Sequence, residues 1–372
     1  MRVQTLELKQ YRNIDRLSLE CPQELHLFVG PNAQGKTNIL ESLYVLGMGK
    51  SHRTRSHKEL IQFGHQGAHL KAQVKKDQQM IRLEVKLSQK GKKVSRNGIE
   101  QPRLSQYIGS LPVVLFAPED LAIVKGSPQV RRRFLDMEIG QVSPTYVHYL
   151  SQFNKLILQR NSLLKQLTLN KGVSYELLDV LDQQLIQLCI EIWKKRFHFL
   201  HSLRKWAKQI HGMITQQSEE LTIEYIPSLQ IEPDMGKSEL AIQLQQELTR
   251  IRDKEIIRGT TLIGPHRDDL RLLANGLDLH TYGSQGQQRT AALSLKLAEI
   301  ELIYHEISYY PILLLDDVLS ELDDTRKTHL LEAIRGRVQT FVTTTSLEGI
   351  DPETLSRAQT YQVQQGTITG LR

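Results

Sequence analysis

Apolar and polar residues alternate along the first 30 positions of the chain, and this two-residue period predicts two or three β-strands. Their apolar positions are Val3, Leu6, Leu8, Leu17, Leu19, Leu25, Leu27 and Val29. The alternation returns between residues 66 and 100, where Asn97-Gly98 is a strong hairpin-turn signal. We therefore expect an antiparallel sheet in the first 100 residues, followed by a buried strand at residues 111–118.

The strand pattern stops at about residue 128, and apolar residues then recur at helical spacing as far as residue 258. One apolar stripe runs from Leu178 to Ile210 and a second from Leu240 to Ile251. Amphipathic helices bury such stripes against each other, which predicts an inserted antiparallel helical arm or bundle. Residues 259–264 are again strand-like, so the strand-containing domain is expected to be discontinuous. The predicted parts are an N-terminal lobe at 1–125, a helical arm at 126–258 and a C-terminal lobe at 259–372.

The composition of the 372-residue chain narrows its class. A formal net charge of +7 and a pI of about 9.2 permit a polyanionic partner such as nucleic acid. No apolar run approaches the roughly 18 residues of a membrane span, so no membrane partner is expected. The two cysteines, Cys21 and Cys189, offer neither a disulfide framework nor zinc spacing, which indicates a reducing cytoplasm.

Residues 30–37, Gly-Pro-Asn-Ala-Gln-Gly-Lys-Thr, fit the phosphate-binding pattern G-x-x-x-x-G-K-[ST]. A predicted strand precedes this P-loop and a helical pattern follows it, which is the context that the motif requires. The glycines let backbone N–H groups approach phosphate oxygens. Lys36 would supply charge to the β- and γ-phosphates, and the Thr37 hydroxyl can hold Mg²⁺. The sequence therefore predicts binding of ATP with Mg²⁺.

A second motif supplies the carboxylates that a P-loop lacks. Residues 311–317, Pro-Ile-Leu-Leu-Leu-Asp-Asp, form an apolar strand that ends as a Walker B motif does. Asp316 is expected to hold Mg²⁺ beside Thr37, and Asp317 to polarise the attacking water. Three threonines at 343–345 end another predicted strand, where their hydroxyls can reach a γ-phosphate or its water.

A third candidate phosphate contact lies between these motifs. A Ser284-x-Gly286 turn opens a long helix, and the free N–H groups at a helix start attract anions. One terminal phosphate cannot lie on two helix N-termini held by different faces of one small fold. We therefore expect Ser284 to contact ATP bound by a second copy of the chain. Residues 320–323, Ser-Glu-Leu-Asp, would face the same dimer seam.

The order of these motifs resembles that of the ABC-type ATPase heads of SMC proteins, and more closely that of the bacterial RecF family. The matching stretches are residues 11–13, 30–38, 116–120, 125–128, 131–136, 264–269, 284–290 and 315–323. This resemblance over nearly the whole chain implies an α/β head with a mixed sheet, an antiparallel β subdomain and an inserted α-helical arm. It also implies a cytosolic recombination mediator with weak, DNA-stimulated ATPase activity. Such a protein binds double-stranded and gapped DNA as an ATP-bound dimer, acts with RecO and RecR, and favours RecA loading at single-stranded gaps.

The resemblance also assigns roles to individual residues. Those that would hold ATP and Mg²⁺ are Gly30, Asn32, Gly35, Lys36, Thr37 and Asn38, with Asp316 on Mg²⁺ and Asp317 on the water. Those near the nucleotide base are Arg12 and Asn13, and those acting across the dimer are Ser284, Gly286 and Gln287. The loop with Lys50, Arg53 and Arg55 resembles the Arg-bearing loop of SMC heads.

Three features depart from the broader ABC pattern. Asp317 stands where most heads have Glu, and threonines occupy 343–345 where many heads have His. A shorter carboxylate reaches the water less well, so slow hydrolysis that acts as a timer is expected. The Gln loop of ABC proteins has no clear match at residues 118–120.

Three other functions compete with that of a DNA-binding mediator. The ATPase subunit of a transporter is the main alternative, but the helical insert is long for it and the Gln loop is missing. A structural SMC-like head would need a longer coiled-coil arm than about 130 residues provide. A nuclease would need a second carboxylate cluster with metal-ligand spacing, and the sequence offers none.

Overall fold

The computed structural model describes residues 1–169, 175–321, 327 and 334–370. The chain divides into two compact units. Unit 1 consists of Met1–Asp120 and Leu295–Arg372, and unit 2 of Leu121–Ser294. The sequence pattern placed the second boundary at 258/259 instead. Residues 259–294 group with unit 2 because the strand Asp269–Ala274 pairs with Leu221–Ile226 over six residue pairs. The division of function between the lobes stays a prediction.

An antiparallel six-stranded sheet occupies the first 100 residues of unit 1, with strand order β2-β1-β4-β5-β6-β7. Its strands are β1 (Arg2–Tyr11), β2 (Ile14–Glu20), β4 (Gly67–Lys76), β5 (Gln79–Ser88), β6 (Gly91–Arg96) and β7 (Ile99–Glu100). Alternate residues such as Leu70 and Val85 are fully buried, as the two-residue period requires. Asn97 and Gly98 have positive φ values of 52° and 81°, so the predicted hairpin turn is confirmed.

The second sheet of unit 1 joins strands from distant parts of the sequence, in the order β15-β14-β3-β13-β12-β8. These strands are β3 (Leu25–Val29), β8 (Val113–Phe116), β12 (Ile312–Asp316), β13 (Thr340–Thr344), β14 (Gln359–Gln364) and β15 (Thr367–Gly370). Only β15 is antiparallel to its neighbour. Strands β12 and β13 are buried along their whole length, as expected of parallel strands covered on both faces. The mixed sheet and the antiparallel sheet confirm the predicted fold class.

The helices of unit 1 flank these sheets. They are α1 (Lys36–Met48), α2 (Leu104–Tyr107) and α10 (Pro352–Arg357), with 3₁₀ turns at His57–Leu60, Pro118–Asp120 and Leu319–Glu321. Helix α1 begins at the P-loop lysine, and its residues from Ile39 to Met48 are buried. A helix that is buried on all sides lies within a hydrophobic core. This packing holds the first residue of α1 in place at the end of the P-loop.

Unit 2 is mainly helical. Its helices are α3 (Leu121–Lys125), α4 (Pro128–Val142), α5 (Pro144–Thr168), α6 (Tyr175–Ile214), α7 (Lys237–Arg258), α8 (Leu279–Tyr282) and the first half of α9 (Gln285–Ile307). Buried Arg160 of α5 donates to Asp182 of α6 at 2.7 Å and to Glu255 of α7 at 2.6 Å, so two ion pairs connect the three long helices. In the part of the chain that the structure describes, no helix has the length and apolarity of a membrane span.

Two sequence predictions are wrong in unit 2. The region 128–258 was expected to be free of strands, yet it contains β9 (Leu221–Ile226), which pairs with β10 (Asp269–Ala274) and, through it, with β11 (Leu277–Asp278). Strand β9 buries only two residues fully, which leaves too short a pattern to detect. Residues 259–264 form no strand. Gly259, at φ 59°, ends α7 in the left-handed conformation that glycine favours.

Candidate nucleotide-binding site

Strand β3 leads into the P-loop, and α1 leaves it, so the loop lies at the carboxyl edge of the mixed sheet. A Cβ atom at Gly30 would lie 2.4 Å from the backbone oxygen of Val363. A Cβ atom at Gly35, where φ is 105°, would lie 2.7 Å from the side-chain amide of Asn13. Only glycine fits at these two positions, because the loop is pressed against neighbours from both ends of the chain.

The P-loop borders a cavity of about 400 Å³. Its lining residues are Asn32, Ala33, Gly35, Lys36, Thr37, Asn38, Arg53, Asp317 and Thr343. All nine belong to unit 1. The structure thus brings six of the predicted site residues together around one cavity. Gly30, the first residue of the P-loop, does not line it.

Lys36 is almost completely buried and points along the loop. Its Nζ donates to the carbonyl oxygens of Gly30 at 2.5 Å and Pro31 at 2.8 Å. Burial lowers the pKa of Lys36, while Asp317 and Asp316 act in the opposite direction. The ammonium group is therefore held against the loop backbone, next to the cavity that it lines.

Thr37 and Asp316 meet as the sequence predicted for a Mg²⁺ site. The Thr37 hydroxyl donates to Asp316 Oδ1 at 2.9 Å, and the Thr343 hydroxyl donates to the same oxygen at 2.7 Å. Burial raises the pKa of Asp316, whereas these two hydrogen bonds lower it. A hydroxyl and a carboxylate in contact are the hard oxygen donors that Mg²⁺ takes together with nucleotide phosphates, so the residues fit this ion.

Asp317 occupies a strained turn at the end of β12. Its φ of 55° lies in the left-handed region, and its N–H donates to the Thr343 hydroxyl at 2.9 Å. Its Oδ1 is buried, and no hydrogen-bond partner is found for it in the described part of the chain. A strained carboxylate with an unused acceptor beside the P-loop fits a water-binding role. Of the predicted seam residues, Ser320 donates to the Asp317 carbonyl at 2.5 Å, while Leu322 and Asp323 lie outside the described residues.

The structure separates the two residues that were assigned to the nucleotide base. Asn13 donates to the Gln34 carbonyl at 3.2 Å and accepts from the Asn38 amide at 2.8 Å, so it contacts the P-loop directly. Arg12 instead forms a bidentate pair with Glu41, at 2.9 and 2.8 Å. Neither Arg12 nor Asn13 is among the residues that line the cavity, and their roles beside the nucleotide base stay predictions.

Glu41 is a residue that sequence reasoning missed. It is fully buried in α1 and accepts from Ser51 at 2.6 Å as well as from Arg12. Burial alone would raise the pKa of Glu41, but the hydrogen bonds from Arg12 and Ser51 lower it overall. The Ser51 hydroxyl in turn accepts the N–H of Arg53, whose guanidinium donates to Asn38 at 3.0 Å. Glu41 therefore positions the loop that carries Arg53, and a carboxylate within the mostly apolar stretch of residues 39–48 was the available signal.

The signature turn, residues 284–287, is a preformed helix start in unit 2. The N–H of Gln287 donates to Ser284 Oγ at 3.2 Å, and Gln287 Oε1 accepts the Ser284 N–H at 2.9 Å. This reciprocal pair is a capping box. Ser284 and Gly286 are exposed, and a Cβ atom on Gly286 would meet only Ser284 Oγ, at 3.9 Å. The turn is thus rigid and open to an incoming group.

Glu219 and His211 support the signature turn and were not predicted. Glu219 accepts from Gln287 Nε2 at 2.9 Å and lies 3.3 Å from His211 Nε2. His211 Nδ1 lies 3.0 Å from Ser294 Oγ, two turns into α9. Burial lowers the pKa of His211, and Glu219 opposes that effect. The end of α6 is therefore linked to the start of α9 through the side chains of His211 and Glu219. The sequence around Glu219 is typical of an ordinary polar turn, so it gave no signal of this role.

A P-loop that faces an Asp-Asp strand end, on a mixed sheet accompanied by an antiparallel sheet, defines an ABC-type ATPase head. The SMC head domain from Pyrococcus furiosus shares this fold, with a TM-score of 0.55, 15% identity and coverage of 99% of this chain and 95% of that chain.

Closer similarity identifies the family. The model of the RecF/RecN/SMC N-terminal domain matches residues 2–369. The DNA replication and repair protein RecF of Bacillus subtilis (strain 168) is 53% identical over 368 residues, which cover 99% of this chain and all of that protein. A structure of the recombination mediator protein RecF with ATP, in the RecFOR pathway, superposes with a TM-score of 0.92 at 33% identity, covering all of this chain and 97% of that one. The chain belongs to the RecF family of DNA replication and repair proteins.

Proposed function

We propose that this chain is an ATP-gated DNA clamp of the RecFOR pathway. ATP joins two copies, the dimer binds double-stranded and gapped DNA, and with RecO and RecR it promotes RecA loading at single-stranded gaps in the cytoplasm. Weak, DNA-stimulated hydrolysis then releases the complex. The relatives named as replication and repair proteins, and the ATP-bound RecF structure, support the pathway and the cofactor. No observation on the chain favours the transporter alternative.

The site residues divide the work of binding and hydrolysis. Thr37 and Asp316 would hold Mg²⁺, which neutralises charge on the β- and γ-phosphates when it is bound. Lys36 would exchange the carbonyl groups of its own loop for phosphate oxygens. The buried Oδ1 of Asp317 would accept a hydrogen bond from the attacking water and orient it. Since Asp is shorter than the usual Glu, we expect this orientation to be imperfect and turnover to be slow.

One observation carries the dimer proposal. The signature turn is rigid, exposed and free of side-chain obstruction at Gly286, yet all the residues that line the P-loop cavity belong to unit 1. A preformed anion-binding turn outside the chain's own nucleotide cavity is suited to the ATP of a second copy. Ser284 and Gly286 would then face the γ-phosphate across the dimer, with Gln287 holding the turn in shape.

Sedimentation velocity tests the clamp directly. The full chain is sedimented with ATP, with ADP and without nucleotide, each in the presence and absence of gapped duplex DNA. We expect a dimer only with ATP, and DNA co-sedimentation that follows dimer formation. Lys36→Met serves as the control, because it should remain monomeric under all conditions. A wild-type chain that stays monomeric with ATP and DNA would overturn the proposal.

A further inference from the structure

A row of basic side chains crosses the solvent face of the antiparallel sheet. Direct cross-strand pairs connect its members, which in the order β2-β1-β4-β5-β6 are Arg16, Lys9, His69, Lys86 and Lys93. A chain neighbour of each faces the core, and these buried neighbours are Leu17, Leu8, Leu70, Val85 and Val94. At about 4.8 Å between strands, the basic row spans roughly 19 Å.

Most of this positive charge is not neutralised within the fold. Among the residues that the structure describes, Lys9, Arg16 and Lys86 have no ion-pair partner, and all three are exposed. Lys93 pairs with Glu100 at 2.9 Å, but both side chains remain more than half exposed. Such a surface pair contributes little. Like charges directly opposite each other weaken a sheet, so folding alone gives no reason for this arrangement.

The next row of the same face shows the contrast. There Glu7, Lys71 and Glu84 alternate in charge across three strands, and Glu7 pairs with Lys71 at 2.8 Å. Glu84 pairs at 3.0 Å with Arg82, two residues away on its own strand. Glu84 also lies 3.6 Å from His69. Charge is therefore balanced one step along the strands, in contrast to the basic row.

An exposed aromatic residue stands at the same end of the sheet. Phe63 is 102% exposed, in a loop whose Gln62 N–H donates to the Gln10 carbonyl at 2.8 Å. His57 of the same loop lies 3.1 Å from the Ser88 carbonyl at the end of β5. The loop is thus fixed to the end of β1, one residue beyond Lys9, and it presents the ring of Phe63 to solvent.

We propose that the basic row and Phe63 form a nucleic-acid surface, in which the row follows a phosphate backbone and Phe63 stacks on an unpaired base at the edge of a gap. This inference rests on the proposed function, since it names the residues that would grip DNA. One strand of a duplex carries a phosphate about every 3.4 Å along its axis, so a row of roughly 19 Å can face five or six of them. Aromatic rings accept any base, which suits binding without sequence preference.

Salt dependence tests the phosphate contacts. The variant Lys9→Ala/Arg16→Ala/Lys86→Ala is compared with Lys155→Ala/Lys254→Ala/Arg258→Ala, which removes the same charge from exposed positions on α5 and α7. Binding of labelled gapped duplex with ATP is followed by fluorescence anisotropy over a range of salt concentrations. The slope of log affinity against log salt should fall by roughly 3 for the row variant, at about 0.9 per lost contact, and by much less for the control. Equal slopes for both variants would overturn the surface.

The outcome separates this inference from the proposed function. If the wild type with ATP binds DNA but the row variant matches it, only the surface is wrong. If the wild type does not bind DNA at all, the clamp itself fails. The melting temperature of each variant detects misfolding. Removing opposed like charges should leave the melting temperature of the row variant unchanged or raise it, and a drop in the row variant that the control does not share would show a purely structural role.

Phe63 is tested by its chemistry. Phe63→Ala should weaken binding to gapped DNA about tenfold while leaving the salt slope and the affinity for blunt duplex unchanged, because stacking needs an unpaired base. Phe63→Trp should restore the preference and Phe63→Leu should not. Rescue by leucine, or an equal loss on blunt duplex, would exclude stacking.

Discussion

The P-loop site and the signature turn differ in how the fold builds them. The P-loop is shaped by residues far apart in the chain, since Gly30 abuts Val363, Gly35 abuts Asn13, and Thr37 bonds to Asp316. The signature turn is shaped by a capping box within four residues, with Glu219 as a distant support. We infer that the first site depends on the whole of unit 1, whereas the second can be altered locally without unfolding the chain.

Lys36→Met should have the largest effect. It removes the only side-chain cation of the P-loop, so ATP binding, ATP-dependent dimerisation and DNA binding should be lost together. Isothermal titration with ATP and sedimentation measure the first two. If dimers of this variant still form with ATP, dimerisation does not depend on ATP bound at the P-loop. The proposed difference between the P-loop site and the signature turn would then be wrong.

Ser284→Arg should have the next largest effect, and it should affect dimerisation without affecting ATP binding. Placing a large cation on the open turn should block dimerisation yet leave ATP binding by the monomer intact, because no residue of the turn lines the described P-loop cavity. Titration calorimetry and sedimentation of the same sample give both readouts. Normal dimers with this variant would show that the turn does not cap ATP in the partner.

Glu219→Ala should weaken the dimer by about tenfold, since a hydrogen bond to a charged group contributes about 1.5 kcal/mol or more. The matched control is Glu220→Ala, which removes the neighbouring carboxylate from its exposed pair with Lys208. Glu219→Gln keeps an acceptor for Gln287 and should recover most of the loss. A purely structural role for Glu219 would instead lower the melting temperature and leave the dimer constant of the folded protein unchanged.

The smallest expected effect is the pH dependence of stability caused by His26, which lies in β3, the strand that leads into the P-loop. It is fully buried in β3 between Phe341 and Tyr361, and burial lowers its pKa to about 4. Unfolded His titrates near 6.5, so the unfolded state gains protons first and stability falls as the pH drops from 6.5 to about 4. Between pH 7 and 5.5, wild type should lose about 1 kcal/mol more than His26→Phe in urea unfolding. The exposed His148→Phe should follow wild type, and identical losses for His26→Phe would contradict the assignment.

The sequence predicted what local patterns encode. The alternation around Leu70 and Val85 and the Asn97-Gly98 turn both lie in the structure where the pattern placed them. What it missed depends on tertiary contacts. β9 is recognisable only through its pairing with β10, and the roles of Glu41 and Glu219 appear only when their partners are brought beside them. The pairing of Arg12 with Glu41 likewise has no signature in either segment, and the assignment of Arg12 to the nucleotide, which the resemblance implied, stays a prediction.

The strands that pair with β3 determine when the nucleotide site can form during synthesis of the chain. Strand β3 pairs with β13 and β14, and the nearer of these begins roughly 310 residues after β3 ends. At about 5–20 residues per second, a ribosome needs on the order of 15–60 s to cover that distance. During this interval the P-loop segment lacks the strands on either side of it and the Val363 carbonyl beneath Gly30. We therefore expect the newly made chain to bind ATP only when synthesis is nearly finished, which would keep partly made copies out of the proposed dimer.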